Sequence, residues 1–228
     1  METVWITGAD RGVGFALCKE FLEHGWKVFA GQFMPGWKQL EELSGIYPEQ
    51  LVCIPLDVGN TESVKMAAEK TAACCDRLDM LVNCAGIVGN DNLEGLRGTL
   101  NVNVFGALRM TEFFLPLLEK GKKRLCYISS EAGCLTLLHR DGGYAYCASK
   151  TVLNMAVKLI FNELAPKGYT FRLYHPGWVR SYMGGEKSDK GNYEPEETAA
   201  AAYEQFVSDR TWENVLVMTD VKGEAWPF

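Results

Sequence analysis

The chain has 228 residues, 47% of them hydrophobic and 23% charged, with a formal net charge of −6. That is enough chain for one large domain with its own core, and the acidic balance argues against a nucleic-acid platform, which would be basic. No apolar run reaches membrane-spanning length, and eight cysteines without a C-x-x-C or a zinc-like Cys/His spacing point to a reducing compartment and no metal.

In chain order, TVWIT (3–7) is the first expected strand, and no leader pattern precedes it, so the expected location is cytoplasmic. It runs into Thr7-Gly8-x-x-x-Gly12-x-Gly14, and a helix follows from Gly14 to His24 with Phe15, Leu17, Cys18, Phe21 and Leu22 on one face. Glycines at a strand-to-helix turn allow close backbone approach, and the helix N-terminus can receive a pyrophosphate. A tight turn without a ligand is the alternative. Further strands are expected at WKVFAG (26–31), LVCIPL (51–56), LDMLVN (78–83), RLCYIS (124–129), TFRLYH (170–175) and NVLVM (214–218). Helices should start near Thr61, Leu93 and Gly143, and another should run from Pro195 to Val207, opening on Glu196 and Glu197, acids suited to a helix N-terminus. The basic run from Gly121 to Leu125 falls where a helix should end, as suits cations.

Most of these strands are continuous apolar runs, the pattern of parallel strands buried on both faces. Alternation of strands and helices along residues 1–228 predicts a single α/β domain with a doubly wound parallel sheet of about seven strands. The irregular segments 131–143 and 184–194 follow strands, so both should lie at the ligand-binding rim of the sheet.

Seven landmarks then fall in one order. After the glycine turn come Asp57-Val58, Asn83-Cys84-Ala85-Gly86, Asn103-Val104-Phe105-Gly106, Ser129-Ser130-Glu131-Ala132-Gly133, Tyr146-Cys147-Ala148-Ser149-Lys150 and Pro176-Gly177-Trp178-Val179-Arg180-Ser181. This series resembles the short-chain dehydrogenase/reductase superfamily, a Rossmann-like fold, with Cys84 standing where the family has Asn and Ser181 where it has Thr. The ending LVMTDVKGEAWPF is similar to the close of the C-factor and sniffer-type carbonyl reductases. The resemblance implies cofactor contacts at Gly8, Asp10, Arg11, Gly12, Val13 and Gly14, at Asp57 and Val58, and at Asn83, Ala85 and Gly86. It implies further ones at Tyr146, Lys150, Pro176, Gly177, Val179 and Ser181. It implies catalytic roles for Asn103, Ser130, Tyr146 and Lys150.

Two tyrosines precede Lys150. Tyr146 is four residues away, one turn along the same helix face, whereas Tyr144 is six away and largely opposite. A phenol titrates near ~10, and an adjacent ammonium favours phenolate, so Tyr146 is the expected general acid/base. By resemblance, Lys150 binds the nicotinamide ribose, Ser130 polarises the substrate oxygen and Asn103 holds a water in a relay to Lys150. Ser129 is the alternative hydroxyl. Strand alternation sends it to the opposite face from Ser130, and the family's spacing favours Ser130.

The second strand ends in Gln32-Phe33, with no acid to repel a ribose 2′-phosphate, while Arg11 and Lys38 could receive one. NADP(H) is therefore favoured over NAD(H). The expected reaction interconverts a small-molecule carbonyl and an alcohol, with Leu135, Leu137 and Leu138 as a candidate pocket wall and a short, open second rim segment. A rival class is a cofactor-binding sensor or signalling protein of the same fold. Such relatives typically lose the Tyr or Lys, and this chain keeps both. The resemblance also implies a homodimer or homotetramer through the helices of Asn103 and Tyr146, where Phe105, Leu108, Met155 and Leu159 are apolar.

Overall fold

The computed structural model describes residues 1–228. Parallel strands β1 (Thr3–Ile6), β2 (Lys27–Gln32), β3 (Leu51–Pro55), β4 (Met80–Asn83), β5 (Arg124–Ile128), β6 (Thr170–Tyr174) and β7 (Met218–Thr219) form one sheet, and β8 (Ala225–Trp226) closes it antiparallel to β7. The order is β3-β2-β1-β4-β5-β6-β7-β8, so the strand order reverses between β1 and β4. Ligands of open α/β sheets bind at such a reversal, beyond the strand C-termini.

Strand alternation divides the core into two layers. Trp5, Phe29, Leu81, Leu125, Tyr127, Phe171 and Leu173 face one side, against α3 (Thr61–Cys74), α5 (Ala107–Leu118) and α6 (Tyr144–Leu164). Val4, Ile6, Val28, Ala30, Met80, Val82, Cys126, Ile128 and Tyr174 face the other, against α1 (Gly12–Glu23), α2 (Gln39–Ile46) and α7 (Pro195–Val207). The indole N–H of Trp5, buried at the sheet centre, donates to Thr71 Oγ1 at 2.9 Å, so its burial leaves no orphan donor.

The sheet has eight strands where the sequence suggests about seven. The extra one, β8, has two residues, too few to carry an alternation signal. The last expected strand shrinks from 214–218 to Met218–Thr219. The helix α2 is unforeseen; its apolar positions are only Leu40, Leu43 and Ile46. The helix expected near Leu93 is compound: α4 (Leu93–Leu100) passes through a π-helical segment, Asn101–Gly106, into α5. The basic run follows α5, but Arg124 turns inward and caps another helix, donating to Phe206 O and Val207 O at the end of α7. A cation does meet a helix C-terminus, at a distance in sequence that the run does not reveal.

Candidate active site

The glycine turn between β1 and α1 packs against the turn after β4. Gly8 has φ +65°, and a Cβ there would lie 2.8 Å from Ala85 Cα; one on Gly14 would lie 2.1 Å from Gly8 O. Thr7 Oγ1 accepts the N–H groups of Cys84 and Ala85, both at 2.9 Å, which stitches the two turns together. Asp10 is buried and accepts from Phe33 N and Met34 N, tying the turn to the end of β2. Asp57 Oδ1 accepts from Gly59 N, and Val58 is packed under Gly106. Gly177, at φ +74°, is crowded by the Tyr193 ring, and Val179 pairs with Tyr193. Ser181 comes within van der Waals range of the Gly12 position.

This cradle fits a dinucleotide. The N-terminus of α1 has no side-chain cap and no acid in its first turn, whereas Asn60 and Asn92 cap α3 and α4. Gly12 and Gly14 keep side chains off those free amides. Both amide atoms of the Asn83 side chain are buried without a protein partner. A buried amide left that way is costly, and a bound cofactor group is the kind of partner that relieves it.

At the rim beyond β5, the neighbouring serines are divided. Ser129 Oγ donates to Asn154 Oδ1 at 2.5 Å, within the core, whereas Ser130 Oγ lies on the Tyr146 side. Tyr146 and Lys150 lie one turn apart near the start of α6, with Lys150 Nζ 5.6 Å from the Tyr146 ring centroid. Tyr144 occupies the first position of that helix and is 48% exposed. Lys150 is buried, and Nζ donates to Ile128 O, the last carbonyl of β5, at 2.8 Å. Asn103 sits in the π-helical segment; Oδ1 accepts from Ile87 N, and Nδ2 donates to Ile87 O and Ser149 Oγ. Ser149 in turn donates to Tyr146 O, so Asn103 is linked to the first turn of α6 through one hydroxyl.

Burial lowers Lys150 to about 8, because a buried ammonium loses its hydration. The sequence reading expects that ammonium to pull the phenol down. The structure has the phenol displaced upward: burial drives Tyr146 to about 12, against the hydrogen bond with Ser130 that lowers it. Burial also takes the Cys84 thiol to about 12, so the residue that replaces the family Asn is a protonated, inert thiol.

Several residues of this rim escape sequence reasoning. Asp91 accepts from Gly143 N and Ala145 N and so caps α6 from the loop after β4. Glu131 accepts the Ser130 hydroxyl and pairs with Arg140. Arg11 lies over the rings of Trp37 and Tyr182, at 5.0 and 5.5 Å, and donates to Gly185 O. The acid following Ser130 and the arginine in the same irregular segment were the available signals for one pair; nothing in the sequence joins Trp37 to Tyr182. Leu135 and Leu137, candidates for a pocket wall, are exposed.

A family model described as short chain dehydrogenase matches residues 2–192. The C-signal protein of Myxococcus xanthus is 37% identical over 127 residues, which cover 53% of this chain and 76% of that protein. The NADPH-bound carbonyl reductase from chicken fatty liver superposes with a TM-score of 0.87 at 25% identity, covering 100% of this chain and 99% of that one. The carbonyl reductase Sniffer of D. melanogaster has the same fold, with a TM-score of 0.90 at 23% identity over 100% of both chains.

Proposed function

The chain belongs to the short-chain dehydrogenase family and is an oxidoreductase of that family, and from that premise we propose that it interconverts a carbonyl and a secondary alcohol using NADP(H), with Tyr146 as general acid/base. The observation that carries this reading is a buried ammonium one helical turn from a phenol that is hydrogen-bonded with a serine hydroxyl at the sheet's ligand-binding rim.

The cofactor supplies or accepts the hydride. The free amides of α1 and the side chain of Asn83 would hold it, with Asp57, Val58 and the 176–181 turn along its length. Lys150 spends one of its three N–H donors on Ile128 O, which leaves donors for ribose hydroxyls. Its positive charge favours a developing phenolate. Tyr146 gives its proton to the carbonyl oxygen in reduction and takes it back in oxidation. Ser130 holds that oxygen in line. Asn103 fixes the start of α6 through Ser149 and so sets where Tyr146 stands.

Arg11, Lys38 and the absence of an acid at Gln32-Phe33 support NADP(H) over NAD(H). Exposed Phe105, Met155 and Leu159 support a dimer or tetramer. A cytoplasmic location is part of the same reading; no helix is long and apolar enough to cross a membrane. The test is Tyr146→Phe, assayed with a panel of ketones and aldehydes. Turnover should fall by about 100- to 10,000-fold, while NADPH still quenches Trp fluorescence and binds more tightly than NADH. Near-wild-type turnover in the variant would sink the assignment, and a wild type that binds NADPH yet reduces none of the panel would favour a sensor.

A further inference from the structure

Glu131 takes no part in the reaction described above, yet its carboxylate stands on the site's own hydroxyl. Oε2 accepts the Ser130 Oγ proton at 2.5 Å, while Oε1 is paired with Arg140 Nη2. Ser130 Oγ also accepts from Ala132 N at 3.1 Å. A serine has one proton, and a carbonyl oxygen offers only lone pairs. With Glu131 holding that proton, Ser130 has nothing to donate to a carbonyl. A productive substrate has to displace this carboxylate.

The clasp is kept in place by Arg140, which lies in the irregular rim segment, half exposed. A guanidinium has five N–H donors, and the one bond Arg140 makes to another side chain is to Glu131. His175 adds no competing cation: its Nδ1 accepts from Glu131 N at 3.3 Å, and burial lowers its affinity for a proton. Once Glu131 swings away, Arg140 is left without a side-chain partner. The group a free guanidinium receives best is another carboxylate, by charge and by bidentate geometry.

Building on the carbonyl-reduction reading, we propose that the substrate is an oxo acid, best a 2-oxo acid, for which Glu131 is the internal stand-in. The keto oxygen takes the place of Oε2 on Ser130, and the substrate carboxylate takes the place of Oε1 on Arg140. In a 2-oxo acid these oxygens sit on adjacent carbons, the shortest separation an oxo acid offers, which is closest to the two oxygens of one carboxylate. A neutral ketone replaces only half of the clasp and leaves Arg140 unpaired.

The experiment compares C4 to C6 2-oxo acids, their 3-oxo isomers and the methyl esters of both, assayed with NADPH on wild type, Arg140→Gln and Glu131→Gln. Calorimetric titration of each acid into the NADP⁺ complex runs alongside. The wild type should favour the 2-oxo acid over its ester by about 10- to 100-fold in kcat/KM, the span of a charge-assisted hydrogen bond. Arg140→Gln should collapse that preference toward one, chiefly through KM, and weaken the calorimetric affinity to match. Glu131→Gln should lower KM for acid and ester alike, by loosening the clasp. Equal use of acid and ester by the wild type, or a preference that survives in Arg140→Gln, overturns the proposal. Turnover and calorimetry separate the two readings. If no carbonyl compound is reduced, the reductase reading fails, and the oxo-acid site stands or falls on whether Arg140→Gln abolishes acid binding.

Discussion

The strand β5 has a buried cation at each end, and the two are treated oppositely. At its start, Arg124 donates to Thr170 Oγ1, to Phe206 O, Val207 O and Ser208 O, and to Asp209. Beside it, Arg172 donates to Gln205 O and Ser208 O and grips both oxygens of Glu213. At its end, Lys150 is equally buried, faces no carboxylate, and makes one hydrogen bond to a carbonyl. Burying a charge is costly unless it is paired and hydrogen-bonded. The arginines are satisfied on nearly every donor and anchor α7 to the sheet. Lysine is held short of satisfaction, and its proton affinity falls in consequence. A buried cation supplied with partners is structural; one denied them has donors left for chemistry.

The largest effect that could break this contrast is on turnover. Lys150→Met should cut kcat/KM by about 100- to 10,000-fold while the melting temperature holds or rises. A variant that loses activity only because it unfolds would make Lys150 as structural as the arginines. Arg172→Met should do the reverse. It strands Glu213 and the carbonyls of α7, so denaturant unfolding should show a loss of about 3 kcal/mol, with turnover per folded molecule retained.

A smaller effect sharpens the comparison through pH. The folded value of Lys150 lies at about 8, below its ordinary 10.5. The unfolded chain therefore binds this proton more tightly, and the penalty on the folded state is full below pH 8 and fades as pH rises toward 10.5. Lys150→Met should be the more stable protein below pH 8, by up to ~3 kcal/mol less about 1 kcal/mol for the unpaired Ile128 carbonyl. The gap should close between pH 8 and 10.5. A gap independent of pH would mean that Lys150 feels no desolvation.

The rim cation was legible in the sequence and the arginine cluster was not, for a physical reason. Tyr146 and Lys150 are four residues apart on one helix, so spacing alone puts them together. That Ser129 and Ser130 part to opposite faces was readable from strand alternation, though which of them serves the site was not, and the structure does send Ser129 to Asn154. Arg124 meets its partners 82 to 85 residues later, through a helix end that only the folded sheet brings near. Glu131 and Arg140 share one irregular segment with no period to align them. The phenol's upward displacement was unreadable too, since it follows from how completely α6 and the rim bury Tyr146, not from its neighbour in the motif.

The π-helical segment at Asn101–Gly106 bears on how this protein can change length. An i→i+5 turn carries one residue more than an α-turn. Deleting any one residue there would let the segment relax into ordinary α-helix, a locally favourable repair. Because the i→i+5 turn already absorbs the extra residue, α4 and α5 would keep their faces, and Thr99 and Phe114 their seats in the core. The loss would fall on the segment itself, where Asn103 bonds Ile87 twice and Ser149 once. A single-codon loss in the middle of a long helix, usually a shift of every face beyond it, would here spare the core and loosen the link between the loop after β4 and the turn that carries Tyr146.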